Sequence, residues 1–328
     1  VHRLILSIGL VACADNEPPA PEPPWTQRAD APTPRLEASA AGLGTKLVVL
    51  GGFETPTLAI SREVLQYDPF DDLWTVMPLE APAAVTHAAL ASVGGSLYLL
   101  GGLEGSAFVP SGKAYRLPAL GTAWEPLADL PAGEERGAAA VVVSSGHIFL
   151  MGGETSAGFT SSVLDYHVAS NTWTVLDVEN RPPLAPLPLP TPRSHAAAMR
   201  EDDGTFILAG GNGPQGPLGD TYALPLGAPM WELRAPMPTA RGGCAYGVLY
   251  GKLVCAGGEI GPTVTRAVEV YDPTLDEWTS VAEMPVERAG APGAIVASRL
   301  YVVGGSQTTA FEPTTTLYEF DLLDTLPR

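Results

Sequence analysis

The sequence is short of lysine. Lys46, Lys113 and Lys252 are its only three in 328 residues, and 18 basic residues face 36 acidic ones, a formal charge of −18. A chain this acidic has no footprint for a polyanion, which excludes nucleic-acid binding. Three cysteines are too few for a disulfide-built scaffold or a thiolate metal cluster. No apolar run is long enough to cross a bilayer as a helix. Catalytic signatures are missing too. There is no G-x-S-x-G elbow and no HExxH pair; in the 105–113 segment the glycines stand too far apart for a phosphate loop, and Ala114 replaces the required hydroxyl. The five histidines show no metal-ligand spacing, so no catalytic set, metal or cofactor is expected. What the chain has in quantity is turn formers, 36 glycines and 33 prolines, beside 45% hydrophobic and only 16% charged residues. That is the composition of a folded, turn-dense β protein.

At the N-terminus Arg3 precedes a nine-residue apolar stretch, residues 4–12, the size of a signal-peptide core. It runs into Leu10-Val11-Ala12-Cys13, which resembles the bacterial lipobox. The resemblance implies that residues 1–12 are removed and that Cys13 carries lipid. Residues 13–24, rich in proline and acid, read as an extended tether. The expected address is a lipid-anchored place in the bacterial cell envelope or on the cell surface. Ala14 after Cys13, by resemblance to Gram-negative sorting rules, favours the outer membrane.

The rest of the chain repeats. Glycine doublets end apolar runs at Gly51, Gly101, Gly152, Gly210, Gly257 and Gly304, at intervals of 50, 51, 58, 47 and 47. Trp74, Trp124, Trp173, Trp231 and Trp278 follow the first five doublets by 23, 23, 21, 21 and 21 residues. The sixth doublet has no such partner, while Trp25 precedes the first without a repeat of its own. Each period reads as four short strands: an Ala/Gly-rich strand, a hairpin into the apolar strand before the doublet, a strand ending in Tyr-Asp or a variant, and a strand carrying tryptophan.

Six doublets in register with tryptophan, the Tyr-Asp element and an arginine or histidine resemble the kelch repeat, over roughly residues 25–321. The resemblance implies an all-β, six-bladed kelch-type β-propeller occupying 25–328, its last blade closed by the N-terminal strand carrying Trp25. Small residues suit inner strands crowded round an axis, and tryptophan fills the space between twisted blades.

In kelch propellers the loops after the second and fourth strands open on one face, at the channel mouth. Two sets of residues are then expected to converge there: Glu54, Glu104, Glu154, Asn212, Glu259 and Ser306 after the doublets, and Arg35, His87, Arg136, Arg193, Arg241 and Arg288 opening the inner strands. Arg136, Glu154, Arg193, Arg241, Glu259 and Arg288 are the candidate ligand-binding residues, suited to an anionic or polyhydroxylated ligand. The alternative is that the arginines, recurring once per blade, only brace loops. His87 and His195 alone among the histidines fall near the mouth, without the tyrosines that a copper oxidase of the galactose oxidase kind requires. Cys244 and Cys255 lie diagonally on paired strands, as a disulfide or as two buried thiols. The proline-rich run 181–190 is an insertion that opens on the mouth face, either a docking edge or lid or, as most such insertions are, surface drift. The expected function is a monomeric module for a protein or glycan partner. The alternative is an enzyme resembling the sialic-acid mutarotases, themselves six-bladed kelch propellers, with a Glu/Arg site at the mouth.

Overall fold

The computed structural model describes residues 24–177 and 185–323. Cys13, the segment 1–12 and nearly all of the tether lie outside them. Every regular element among the described residues is a β-strand, and no helix is long and apolar enough to cross a membrane. Six four-stranded antiparallel sheets form the body. Blade 1 pairs Ser39–Leu43, Lys46–Leu50, Glu63–Asp68 and Leu73–Glu80 in that order. Blades 2 to 5 repeat the plan from inner strands Ala89–Val93, Ala140–Ser144, Ala197–Arg200 and Ala245–Leu249. Blade 6 takes three strands from Gly293–Val296, Arg299–Val303 and Leu317–Phe320, and its outermost from Trp25–Arg28. The inner strands touch pairwise all round, the first against the sixth included, so the sheets make a closed six-bladed propeller.

Six apolar clusters lie between consecutive blades, one at each interface. Each blade is therefore covered on both faces, which is why the second strands read as continuous apolar runs; Leu47, Val48, Val49 and Leu50 are all fully buried. The inner strands are poor in bulk because they converge. A Cβ on Gly293 would come within 2.7 Å of the Ala245 Cβ, and one on Gly42 would run into the Ile295 carbonyl oxygen.

The Tyr-Asp and tryptophan signals turn out to be one device. In blades 1, 3 and 5 the hydroxyls of Tyr67, Tyr166 and Tyr271 donate to Asp72, Asn171 and Asp276 at 2.6, 2.9 and 2.8 Å. Those same side-chain oxygens accept the backbone N–H of Ala29, Ala128 and Ala235 at 2.9 Å. Trp74, Trp173 and Trp278 donate Nε1–H to the carbonyls of the same alanines, at 2.8, 2.8 and 3.1 Å. Each clamp thus grips both polar groups of one residue in the crossover from the preceding blade. Blades 2, 4 and 6 have Leu117, Leu224 and Phe320 at the tyrosine position.

The seam in blade 6 is closed as the orphan tryptophan predicts. Trp25 pairs with Phe320, is 7% exposed and donates its indole N–H to the Ala282 carbonyl at 3.0 Å. Arg28 at the other end of the strand donates twice to Glu319, at 2.8 and 3.1 Å. Glu319 is 2% exposed and also accepts from Arg299 and from the Tyr301 hydroxyl. Burial alone would raise its pKa, but these donors outweigh it and hold the carboxyl below the usual range.

The proline-rich insertion differs from expectation. Residues 178–184 lie outside the described residues. The remainder is a packing element: Ala185, Leu187 and Leu189 are buried between blades 3 and 4, and the Pro188 carbonyl accepts the Trp231 indole N–H at 2.9 Å. A short apolar run with prolines keeps few unmet N–H groups, so it enters the core cheaply.

Candidate functional site

The glycine doublets have a backbone reason. In all six blades the second glycine donates its N–H to the backbone carbonyl that opens the next blade, that of Val85, Arg136, Arg193, Arg241, Arg288 or Arg35, at 2.7 to 2.9 Å. The first glycine sits against the same carbonyl with positive φ; a Cβ on Gly257 would come within 2.5 Å of the Arg288 oxygen. Two backbones meet there, and no side chain fits between them.

The arginine side chains turn back into this joint. Arg136 Nη1 donates to the carbonyls of Gly152 and Ser162 at 2.9 and 3.1 Å. Arg193 donates to the Gly210 carbonyl at 3.0 Å and to both oxygens of Asp220 at 2.7 and 3.0 Å. Arg241 pairs with the buried Glu269 and donates to the Cys255 carbonyl at 3.0 Å. Arg288 bonds Thr316 and lies over the Tyr318 ring. Arg35, Arg136, Arg193, Arg241 and Arg288 are all 0 to 1% exposed. The repeat spacing puts these guanidiniums at the surface of the mouth; the structure places them one layer below it, bonded to carbonyls, carboxylates and hydroxyls of the joint.

Two positions were also out of phase in the sequence. The equivalent of each arginine in blade 2 is Val85, not His87. Residues following the doublets pair with the strand entries as Leu36 with Phe53, Thr86 with Leu103, Gly137 with Glu154, Ser194 with Asn212, Gly242 with Glu259 and Ala289 with Ser306. Glu54 and Glu104 therefore stand one residue beyond this ring, and Phe53 and Leu103 occupy it.

The residues that do meet at the axis lie two past the arginine position: Glu37, His87, Ala138, His195, Gly243 and Gly290. All six have positive φ, between 54° and 67°. They are held by a chain of backbone bonds passing from blade to blade. Glu37 N–H donates to Gly290 O, His87 to Glu37, Ala138 to His87, His195 to Ala138 and Gly243 to His195, at 2.7 to 3.0 Å. Left-handed backbone at four non-glycine residues costs about 1–2 kcal/mol each, so the ring holds these side chains in place against a local preference. They border a recess of about 140 Å³. Beneath it Tyr246 reaches from blade 5 across to blade 3, where its hydroxyl accepts the Val141 N–H at 3.0 Å. That tyrosine borders both the recess and a wider lumen lined by the inner strands.

Three side chains give the recess its chemistry. His87 Nε2 lies 3.2 Å and His195 Nε2 4.0 Å from Glu37 Oε2, and the two imidazoles are 5.2 Å apart. His87 Nδ1 sits 2.8 Å from the Thr86 hydroxyl, and His195 Nδ1 2.9 Å from the Ser194 hydroxyl. Gly290 makes room for Glu37, because a Cβ there would meet its Oε1 at 2.5 Å. Enclosure lowers both imidazoles to about 4, so they are neutral at pH 7, and raises Glu37 above the usual carboxylate range. Glu259 is raised by burial and by the Glu37 carboxylate. No local motif marks this trio, whose members are 50 and 108 residues apart; the shared phase of the repeat is the signal that unites them.

The wall on the side of blades 1, 2 and 6 is aromatic. Phe53, fully buried, contacts Phe108 and the 40%-exposed Phe311 with ring centres 5.7 and 5.6 Å away, and Phe108 reaches His87 at 6.1 Å. The wall on the side of blades 3 to 5 carries the half-buried Glu154, Asn212 and Glu259. Cys244 and Cys255 are joined as a disulfide; Cys255 faces Tyr246 in the register, so the bond runs diagonally.

The KLHDC2/KLHL20/DRC7 Kelch-repeats domain matches residues 124–305. The chain is similar to Kelch-like protein terF of Aspergillus terreus, 30% identical over 331 residues, covering 93% of this chain and 69% of that protein. It is also similar to Kelch-like protein 25 of Xenopus tropicalis, 26% identical over 265 residues, 79% of this chain and 42% of that protein. A third resemblance, to the influenza virus NS1A-binding protein homolog of Mus musculus, is 43% identity over 72 residues, 22% of this chain and 11% of that protein. The chain thus spans about two thirds of the fungal relative and less than half of the other two.

Proposed function

The chain belongs to the kelch-repeat family, and on that premise we propose that its propeller is a binding module whose protein partner docks on the mouth face. The observation that carries this reading is the two-sided mouth: the half-buried Phe108 and the exposed Phe311 on one side, the half-buried Glu154 and Glu259 on the other. An apolar anchor flanked by lysine or arginine fits it, and the net charge of −18 draws such a segment in. One relative is itself named for binding a protein, which supports the same reading. The buried arginines lend no support to a mutarotase-like Glu/Arg pair.

The test is selection of a random peptide library on the immobilised propeller. The expected winners combine an aromatic or aliphatic residue with basic neighbours, and lose at least about tenfold in affinity against Phe108→Ser and Phe311→Ser, the size of a hot-spot contact. Peptides indifferent to both substitutions, or glycan-array binding with no peptide enrichment, would overturn the reading.

The finer part of the proposal is the address: a lipid on Cys13 tethers the module to the bacterial cell envelope. The sequence Leu10-Val11-Ala12-Cys13 supports it, and the Cys244–Cys255 disulfide agrees with an oxidising compartment. Cys13→Ser is expected to move the protein from the membrane to the soluble fraction. An unchanged membrane fraction would sink the anchor.

A further inference from the structure

We infer that Glu37, His87 and His195 form a binding site for one divalent transition-metal ion of the zinc class at the propeller axis. Their donor atoms lie within 4.8 Å of one another. Two ligands each about 2.0–2.1 Å from a tetrahedral ion are about 3.3 Å apart. The Nε2–Oε2 separation of 3.2 Å at His87 already matches, and that of 4.0 Å at His195 needs only a small ring movement. Two imidazoles and one carboxylate are a familiar zinc donor set, and they leave a fourth position facing the open recess.

The surroundings are built as ligand supports are. Thr86 Oγ1 stands 2.8 Å from His87 Nδ1 and 3.4 Å from the Leu103 carbonyl, placed to accept from an Nδ1–H. With its proton on Nδ1, His87 offers the Nε2 lone pair to an ion held beside Glu37. Ser194 provides the same hydroxyl to His195, one residue before it, as Thr86 does for His87. Such an outer contact fixes the ring and its tautomer in metal-binding histidines. The blade-to-blade backbone bonds hold all three ligand backbones, and Gly290 leaves the space that Glu37 occupies. This inference does not depend on what docks at the mouth.

The repeat supplies its own control for the test. Ala138 occupies the His87 position in blade 3 with φ 54° against 55°, so His87→Ala installs a residue the ring already accepts. Untagged full chain, stripped with EDTA, is dialysed against Zn²⁺ and against Co²⁺. The expected result is one ion per chain, with Co²⁺ giving the strong visible bands of a four- or five-coordinate site. His87→Ala, His195→Ala and Glu37→Gln are each expected to weaken binding by well over tenfold, and Thr86→Val by about tenfold. Unchanged apo melting temperatures would show that these variants still fold. His147→Ala and His167→Ala, at the other histidine pair, are expected to change nothing. Absence of the Co²⁺ bands at saturating metal would overturn the assignment. So would binding that survives the His87→Ala/His195→Ala double variant, or binding abolished by His147→Ala.

Discussion

Two rings of six residues, two positions apart in sequence, divide the labour of this propeller. The lower ring is nearly uniform, arginine in five blades and valine in one, and its side chains vanish into the joints between blades. The upper ring is varied, with one glutamate, two histidines, one alanine and two glycines on a common left-handed backbone, and its side chains border open space. The uniform ring serves the joints between blades, where its guanidiniums meet carbonyls, carboxylates and hydroxyls. The varied ring shares one backbone role while its side chains differ from blade to blade. In a repeat protein, repetition marks what the fold needs, and departure from it marks where chemistry has room.

The sharpest way to break this contrast is to exchange the costs. Arg241→Ala strands Glu269, 1% exposed, without its partner, and is expected to destabilise by roughly 3–5 kcal/mol. The same denaturant titration on His87→Ala is expected to show a change below about 1 kcal/mol, because Glu37 still borders the open recess and keeps its approach to His195. Equal losses for the two would erase the distinction between the rings.

A smaller effect sharpens it by pH. Glu319 lies in the wall, and its pKa is depressed in the folded state, so its stabilisation is present above the unfolded carboxyl pKa near 4.5 and is lost as pH falls through the lower folded value. Glu319→Gln is expected to cost stability at pH 7 and to narrow its gap from the parent protein below about pH 4. Denaturant midpoints across that interval check it, and a gap that stays constant would show that the ionised carboxylate contributes nothing to the seam.

Much of this architecture is legible in the sequence because it repeats. The doublets, tryptophans and orphan Trp25 locate six blades and the seam, since each answers to a backbone constraint repeated in every blade. The axial site is less legible. Val85 interrupts the arginine series, so His87, the next residue able to carry charge, is easily assigned the arginine phase. Phe53 and Leu103 likewise hide the register after the doublet, where Glu54 and Glu104 draw the eye. Burial is harder still to read: nothing in a row of arginines says whether they face solvent or carbonyls until the joint is seen in three dimensions. The disulfide shows the same limit, because the hairpin register gives the diagonal but not the 5.6 Å Cα–Cα approach that lets the sulfurs bond.

The seam in blade 6 gives the ring a mechanical polarity. Five blades are continuous runs of chain, while blade 6 joins the two ends, and Pro24 and Asp321 meet where the Asp321 N–H donates to the Pro24 carbonyl at 2.9 Å. Tension pulling those two ends apart loads this one bond first, then the Trp25–Phe320 rung, then each rung in turn down to Arg28 and its ion pair with Glu319. Rungs broken singly resist far less than rungs sheared together. A propeller held by its N-terminal segment and pulled from beyond Asp321 would open as a zip does, from the indole inward, while the other five blades stay shut.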